Sequence, residues 1–214
     1  MKKMILYALA ILLFLGMMQE CINNYNSGDN TNKSRTSTIE EAIKNNDFQT
    51  CNELLVSVYN DWVDSPRSGN ISNKYIPQAI KVLKAEGTYL IDIGDTEAEK
   101  LFLLCLNDVI FNFGGFTPQE KNTESYDYDN QEYEACVTPL NSCLLALIRE
   151  SLIKENLSFA EKIVPYIQVN IKESVKNENF TGGDYTYTFD YTAQQTAKKL
   201  ISDYKSKNKR EESR

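Results

Sequence analysis

The side chains best equipped for chemistry in this chain are oxygen donors, and their densest run lies between Glu124 and Glu134. Asp127 and Asp129 have the spacing of the first two ligands of a calcium loop, with Asn130 and Gln131 as neutral donors and Glu134 as a further carboxylate. An EF-hand also needs glycine at its sixth position and a bidentate glutamate at its twelfth, and these positions hold Glu132 and Thr138. The run therefore suggests either a looser metal site at Asp127, Asp129 and Glu134 or protein contact through Tyr126, Tyr128 and Tyr133. A solvated acidic loop is the plainer reading. A second aromatic group, Tyr185, Tyr187, Phe189 and Tyr191, follows Gly182 and Gly183. Tyrosines on a glycine-hinged segment make adaptable contact surface, although the same residues pack well in a core.

Glycoside hydrolysis needs two acids flanking a sugar. Asp61 and Asp64 on either side of Trp62, or Asp92 with Asp95, are the nearest candidates for a carboxylate hydrolase or a carbohydrate-binding site. The chain carries 30 acidic residues, so such pairs also arise by chance, and Trp62 continues the apolar face of its own helix. The sequence contains no histidine. Ser-His-Asp and Cys-His catalysis, imidazole acid-base chemistry and most catalytic zinc sites are thereby excluded. No cofactor is expected.

Cys51, Cys105, Cys136 and Cys143 are even in number and permit two disulfides in an oxidising compartment. Each also falls in a helical pattern among apolar neighbours, where buried free thiols are common. Cys136 and Cys143 cannot bridge each other on one helix, since seven residues separate them by about 10 Å. The formal charge is −7, with no dense basic patch in the body, which disfavours nucleic acid as a partner. Sequons at Asn32, Asn70, Asn156 and Asn179 mark exposed candidates for glycosylation and carry no further weight.

The elements that must hold these residues are mostly helical. Thr38 to Glu41 is a capping box opening a short helix through Lys44, and Asp47 caps a second helix with Phe48, Cys51, Leu54, Leu55, Val58 and Trp62 on one face. A third helix is expected from about Asn73 to Ile93, with Pro77 in its first turn and Gly94 ending it. Capping boxes at Thr96–Glu99 and Ser158–Glu161 open two more. The helix from Leu101 to Phe113 is apolar on nearly all sides and reads as the buried centre, closed by Gly114 and Gly115. Thr138 and Pro139 read as a cap and first helical position, interrupting the helix after the acidic loop.

Ile163, Ile167, Ile171 and Val175 recur every four residues, so this stretch is expected to be helical, with Pro165 kinking it or moving its start. A hairpin between 167 and 191 is the alternative, and Tyr185–Tyr191 is its better strand. The last helix runs from Ala193 to Tyr204. The expected fold is all-α: one domain over 38–205, of about seven antiparallel helices, as a bundle or a short array of helix pairs. Residues 206–214 read as a disordered charged tail.

Ahead of this domain, Lys2 and Lys3 precede an uncharged run of fifteen residues from Met4 to Met18. That layout is a secretory signal or a signal anchor, spanning roughly 22 Å as a helix. Residues 1–20 are expected to anchor the chain in a membrane, with the N-terminus cytoplasmic and the body outside. No small-residue pair suits cleavage, so a retained anchor ranks ahead of lipidation at Cys21, which Glu20 precedes, and ahead of secretion. Residues 21–37 are polar and glycine-containing, a flexible tether. The expected function is a membrane-tethered, non-enzymatic module with a protein or cell-envelope partner, and the alternative is the carboxylate hydrolase or sugar binder.

Overall fold

Thr38 and Glu41 reciprocate as the capping box requires, each side chain accepting from the other's backbone N–H, and α1 (Ile39–Lys44) follows. Asp47 accepts from the Thr50 N–H at 3.1 Å and starts α2 (Phe48–Asp64). Two closely spaced helices come next, α3 (Ile71–Lys74) and α4 (Ile76–Ile93), the second with proline in its first turn and ended by Gly94 in the left-handed region. Then come α5 (Thr96–Asn112), α6 (Asn130–Ile153), α7 (Leu157–Ile163) and a 3-10 turn at Val164–Tyr166. Two strands, β1 (Asn170–Lys176) and β2 (Tyr185–Asp190), precede the final helix α8 (Thr192–Glu211). This computed structural model describes residues 38–64, 70–115, 130–176 and 185–211, all within one compact unit. The expected anchor over 1–20, the tether over 21–37 with Cys21, and the loop holding Tyr126, Asp127, Tyr128 and Asp129 lie outside the described residues.

The fold is mostly helical with one small antiparallel sheet. The sheet is the hairpin, where helix was the first expectation. Four-residue spacing of Ile163, Ile167 and Ile171 suits a strand as well as a helix, because four is a multiple of the strand's period of two. Pro165 decides between them, since it lacks an N–H and α7 stops at Ile163 just before it. The strands pair from Asn170↔Asp190 to Lys176↔Tyr185, with an irregularity between Ile171 and Glu173. A lone hairpin is marginal in water. This one is fastened to α6, where Tyr133 donates its hydroxyl to the Val169 carbonyl at 3.1 Å. The buried Asn141 amide also donates to the Gln168 carbonyl and accepts from the Gln168 N–H, both at 2.8 Å.

Other expectations need correction. The caps of α5 and α7 are Asp95 and Asn156, upstream of Thr96 and Ser158: Asp95 accepts from the Glu97 and Ala98 N–H groups and Asn156 from that of Phe159. The helix α6 runs unbroken through Pro139. Its buried face spans that position with Tyr133, Cys136, Val137 and Leu140 before and after it. At about 1.5–3 kcal/mol for each large apolar side chain buried, that face outweighs the roughly 3 kcal/mol cost of an interior proline. Finally, α8 continues through Glu211, beyond the expected end at Tyr204.

The centre of the core is shared by α4 and α6, while α5 leaves Leu104 and Phe111 exposed on its outer side. These two central helices run parallel, a departure from the antiparallel expectation. Thr88 is hydrogen bonded to Glu150, and Asp92 pairs with Lys154, so positions advance together along both. Gly87 is what lets them close. A Cβ there would lie 2.6 Å from Leu147 Cδ1. On its other flank α4 meets α2 in antiparallel sense: the rings of Phe48 and Tyr89 stand 5.3 Å apart, and Cys51 lies near Glu86. Among the described residues one helix, Gln131–Ile153 within α6, is long and apolar enough to cross a membrane. Its packing against α3, α4, α7, α8 and β1 identifies it as a core helix of this domain.

Candidate functional site

The residue that the fold treats most unusually is Glu86. Along α4, Ile76, Ala79, Leu83, Glu86 and Leu90 are spaced three and four apart, which is the seam of a packing helix, and all five are buried. Glu86 thus takes a position meant for an apolar side chain. It is fully buried, and neither carboxylate oxygen has a hydrogen-bond partner. Burying an unpaired carboxylate costs several kcal/mol or more, so the group keeps its proton instead. Burial pushes its pKa from 4.5 to about 8.

The ionisable groups that its charge acts on are thiols. Cys51 comes from α2 and Cys105 from α5, and the Glu86 charge acts on both. Burial raises Cys51 to about 11, with Glu86 as the second cause, and holds Cys105 well above the usual thiol value. Asp108, one turn along α5, is also raised by burial. Tyr75 closes the same region: its hydroxyl accepts from Asn112 at 3.0 Å, its ring meets Tyr59 edge-on, and burial raises its pKa. Thiols held this far up are poor nucleophiles at neutral pH. The cluster joins three helices around one protonated carboxyl in an otherwise apolar setting. Chemically it can give up a proton, and little else.

The other two cysteines behave similarly. Cys136 and Cys143 on α6 are pushed to about 12 and about 11 by burial. All four are free and buried. Among the described residues no group of three or more Cys, Asp or Glu side chains could hold a metal ion.

The residues singled out from sequence scatter. Tyr133 is in the core, its ring against Phe113, so it presents no contact surface. Glu134, its neighbour on α6, is exposed. Tyr185 and Tyr187 are strand residues of β2, paired with Lys176 and Ser174, and Tyr191 is exposed at the start of α8. Of the paired acids, Asp95 caps α5 and Asp92 pairs with Lys154, while Asp61 and Asp64 are exposed on α2. Trp62 packs against the core and stacks near Tyr59 at 5.8 Å. A groove of about 460 Å³ lies between α7 and α8, crossed by the Lys205–Glu161 pair, and holds none of these residues.

Glu86 is not among the residues that the sequence singled out. The signal was present: a carboxylate three residues from Leu83 and four from Leu90 must face the core. No family model, curated protein or solved structure matches this chain.

Proposed function

We propose that this chain is a membrane-tethered helical domain that works outside the cytoplasm and recognises a protein or cell-envelope component. The basic-then-apolar N-terminal run supports the tether, with the polar stretch to residue 37 as its spacer. The helices of the body suit a bundle or a short helix-pair array, folds that present helix faces rather than a deep cleft. The observation that carries the binding reading is on α5. Leu104 and Phe111, seven residues apart and thus on one face, are 61 % and 69 % exposed. Burying them against a partner would contribute about 1.5–3 kcal/mol each, and exposed aromatic anchors are where interface energy concentrates.

The test is site-specific photo-crosslinking in intact cells expressing the full-length chain. A crosslinker at position 104 or 111 should give a discrete adduct that the same group at exposed Ser57 on α2 does not give. Equal yields at all three positions, or none, would remove the basis for a binding face. Location is checked separately by external protease. A body protected in intact cells and digested only after lysis is on the wrong side of the membrane.

A further inference from the structure

We propose that Glu86 is a pH-operated latch: its carboxyl holds the α1–α2 layer on α4 and α5 most firmly while it is protonated, and loss of that proton shifts the layer toward release.

The geometry assigns the direction of release. On one side of Glu86 the α4–α6 contact is sealed by Gly87 against Leu147 and by the Thr88–Glu150 hydrogen bond. On the other side lies α2, which buries three of its seventeen residues, Phe48, Cys51 and Leu55. By contrast α4 buries eight of eighteen. A charge formed at Glu86 reaches water with least loss of buried surface by lifting α2, so this layer is the natural low-stability unit. Among the described residues α1 is tied to α4 by the Lys81–Glu40 pair, which is exposed and contributes little.

Among the described residues no neighbour compensates the charge. The ionisable groups on adjoining helices that feel Glu86 are the Cys51 and Cys105 thiols, and both are uncharged when it ionises. Asp108 on α5 is a further acid. The remaining charged groups near α4 are engaged elsewhere or exposed: Glu40 of α1 with Lys81, Glu150 of α6 with Thr88, Lys154 with Asp92, and Lys74 of α3 in solvent.

In the released state the carboxyl meets water and returns to its ordinary value of 4.5, against about 8 when latched. The closed state holds the extra proton, so the opening equilibrium rises tenfold per pH unit between those values. From pH 6 to pH 8 the rise is about fifty-fold.

The experiment is hydrogen exchange of the full-length chain at pH 6, 7 and 8, corrected for intrinsic exchange, with thiol alkylation as a second readout. The expected result is a fifty-fold loss of protection in α1–α2 amides while α6 amides hold theirs. Cys51 and Cys105 should become alkylatable ahead of Cys136 and Cys143. Both effects should vanish in Glu86→Gln and in Glu86→Met, which fills the same space without a charge. Protection of α2 that is flat with pH in the unmodified chain overturns the proposal, and needs no variant to fold. So does simultaneous labelling of all four thiols, which would mean global unfolding, or an unchanged pH slope in the variants.

Discussion

Replacing Gly87 by alanine sets two effects of known size against each other. In the interior of an exposed helix the change is favourable by about 1 kcal/mol, because glycine loses more backbone freedom on folding. Gly87 is instead the contact point of α4 with α6, and the new Cβ would lie 2.6 Å from Leu147 Cδ1 and 2.8 Å from Cδ2. Carbon atoms attract best at about 3.5–4.0 Å, so the leucine must retreat by roughly 1 Å. Leu147 is almost wholly buried, so its side chain retreats among packed neighbours rather than into solvent. Overpacking of this kind costs about 1–3 kcal/mol, which leaves Gly87→Ala destabilising by roughly 1 kcal/mol and by about 2 at the upper end. The assay is urea unfolding, with the midpoint falling and the slope unchanged. A double-mutant cycle isolates the contact. Leu147→Ala alone should cost about 2–5 kcal/mol, and its cost should drop by about 1 kcal/mol or more when alanine already occupies position 87. A Gly87→Ala protein that is more stable than its parent, with no coupling to Leu147, would refute the close approach of α4 and α6.

Four other outcomes follow from the same structure. Because Glu86 binds its proton more tightly folded than unfolded, its contribution is complete below about pH 4.5 and is lost as pH rises to about 8; the loss is on the order of 5 kcal/mol, and a stability profile from pH 5 to 9 should flatten in Glu86→Gln. Asn141→Leu leaves the buried N–H and carbonyl of Gln168 unpaired and should cost about 2–5 kcal/mol in chemical denaturation; a loss under 1 kcal/mol would show that the hairpin is held by other contacts. Asp95→Ala should cost about 1 kcal/mol and Thr96→Ala close to nothing, a contrast that equal losses would contradict, since Asp95 is the residue accepting from the Glu97 and Ala98 N–H groups. The four body thiols should resist alkylation in the native chain at pH 6 and all react in denaturant without a reductant, read by intact mass; a pair that needs reduction first would establish a disulfide.

What the sequence made legible depended on how many signals agreed at each place. The start of α1 and the end of α4 were readable to the residue, because a reciprocal capping box and a left-handed Gly94 each leave a single solution. At α5 and α7 the box pattern misled, since Asp95 and Asn156 stand just upstream and accept from earlier N–H groups, those of Glu97, Ala98 and Phe159. Pro139 and Pro165 carry the same local penalty and had opposite outcomes. Around Pro139 the apolar face is continuous and helix packing overrides the missing N–H. After Pro165 the spacing serves a strand equally well, so the local penalty wins. The site was the least legible part. Glu86 looks like one acid among thirty until its place on the seam of α4 is counted, and its lack of partners depends on which helices close over it.

The two residues Glu86 and Gly87 give α4 opposite sides. Gly87 removes a side chain so that α6 can approach, and the contact it makes is dry, apolar and supported by Tyr133 and Asn141 holding the hairpin to the same α6. Glu86 inserts a polar group where the α2–α5 side wants an apolar one, and no described residue there offers a counter-charge. A leucine at 86 would stabilise that side at every pH, by the ordinary transfer of apolar surface alone. Retaining a carboxyl there therefore weakens the packing selectively on the side of α2, the helix that follows the polar segment over 21–37 by way of α1. The half of the domain built on α4, α6 and the hairpin carries no such weakness. The two halves should accordingly separate in a pH titration before either separates in urea at pH 6, and cooperative loss of both at the same pH would mean that α4 transmits the Glu86 charge across its whole width.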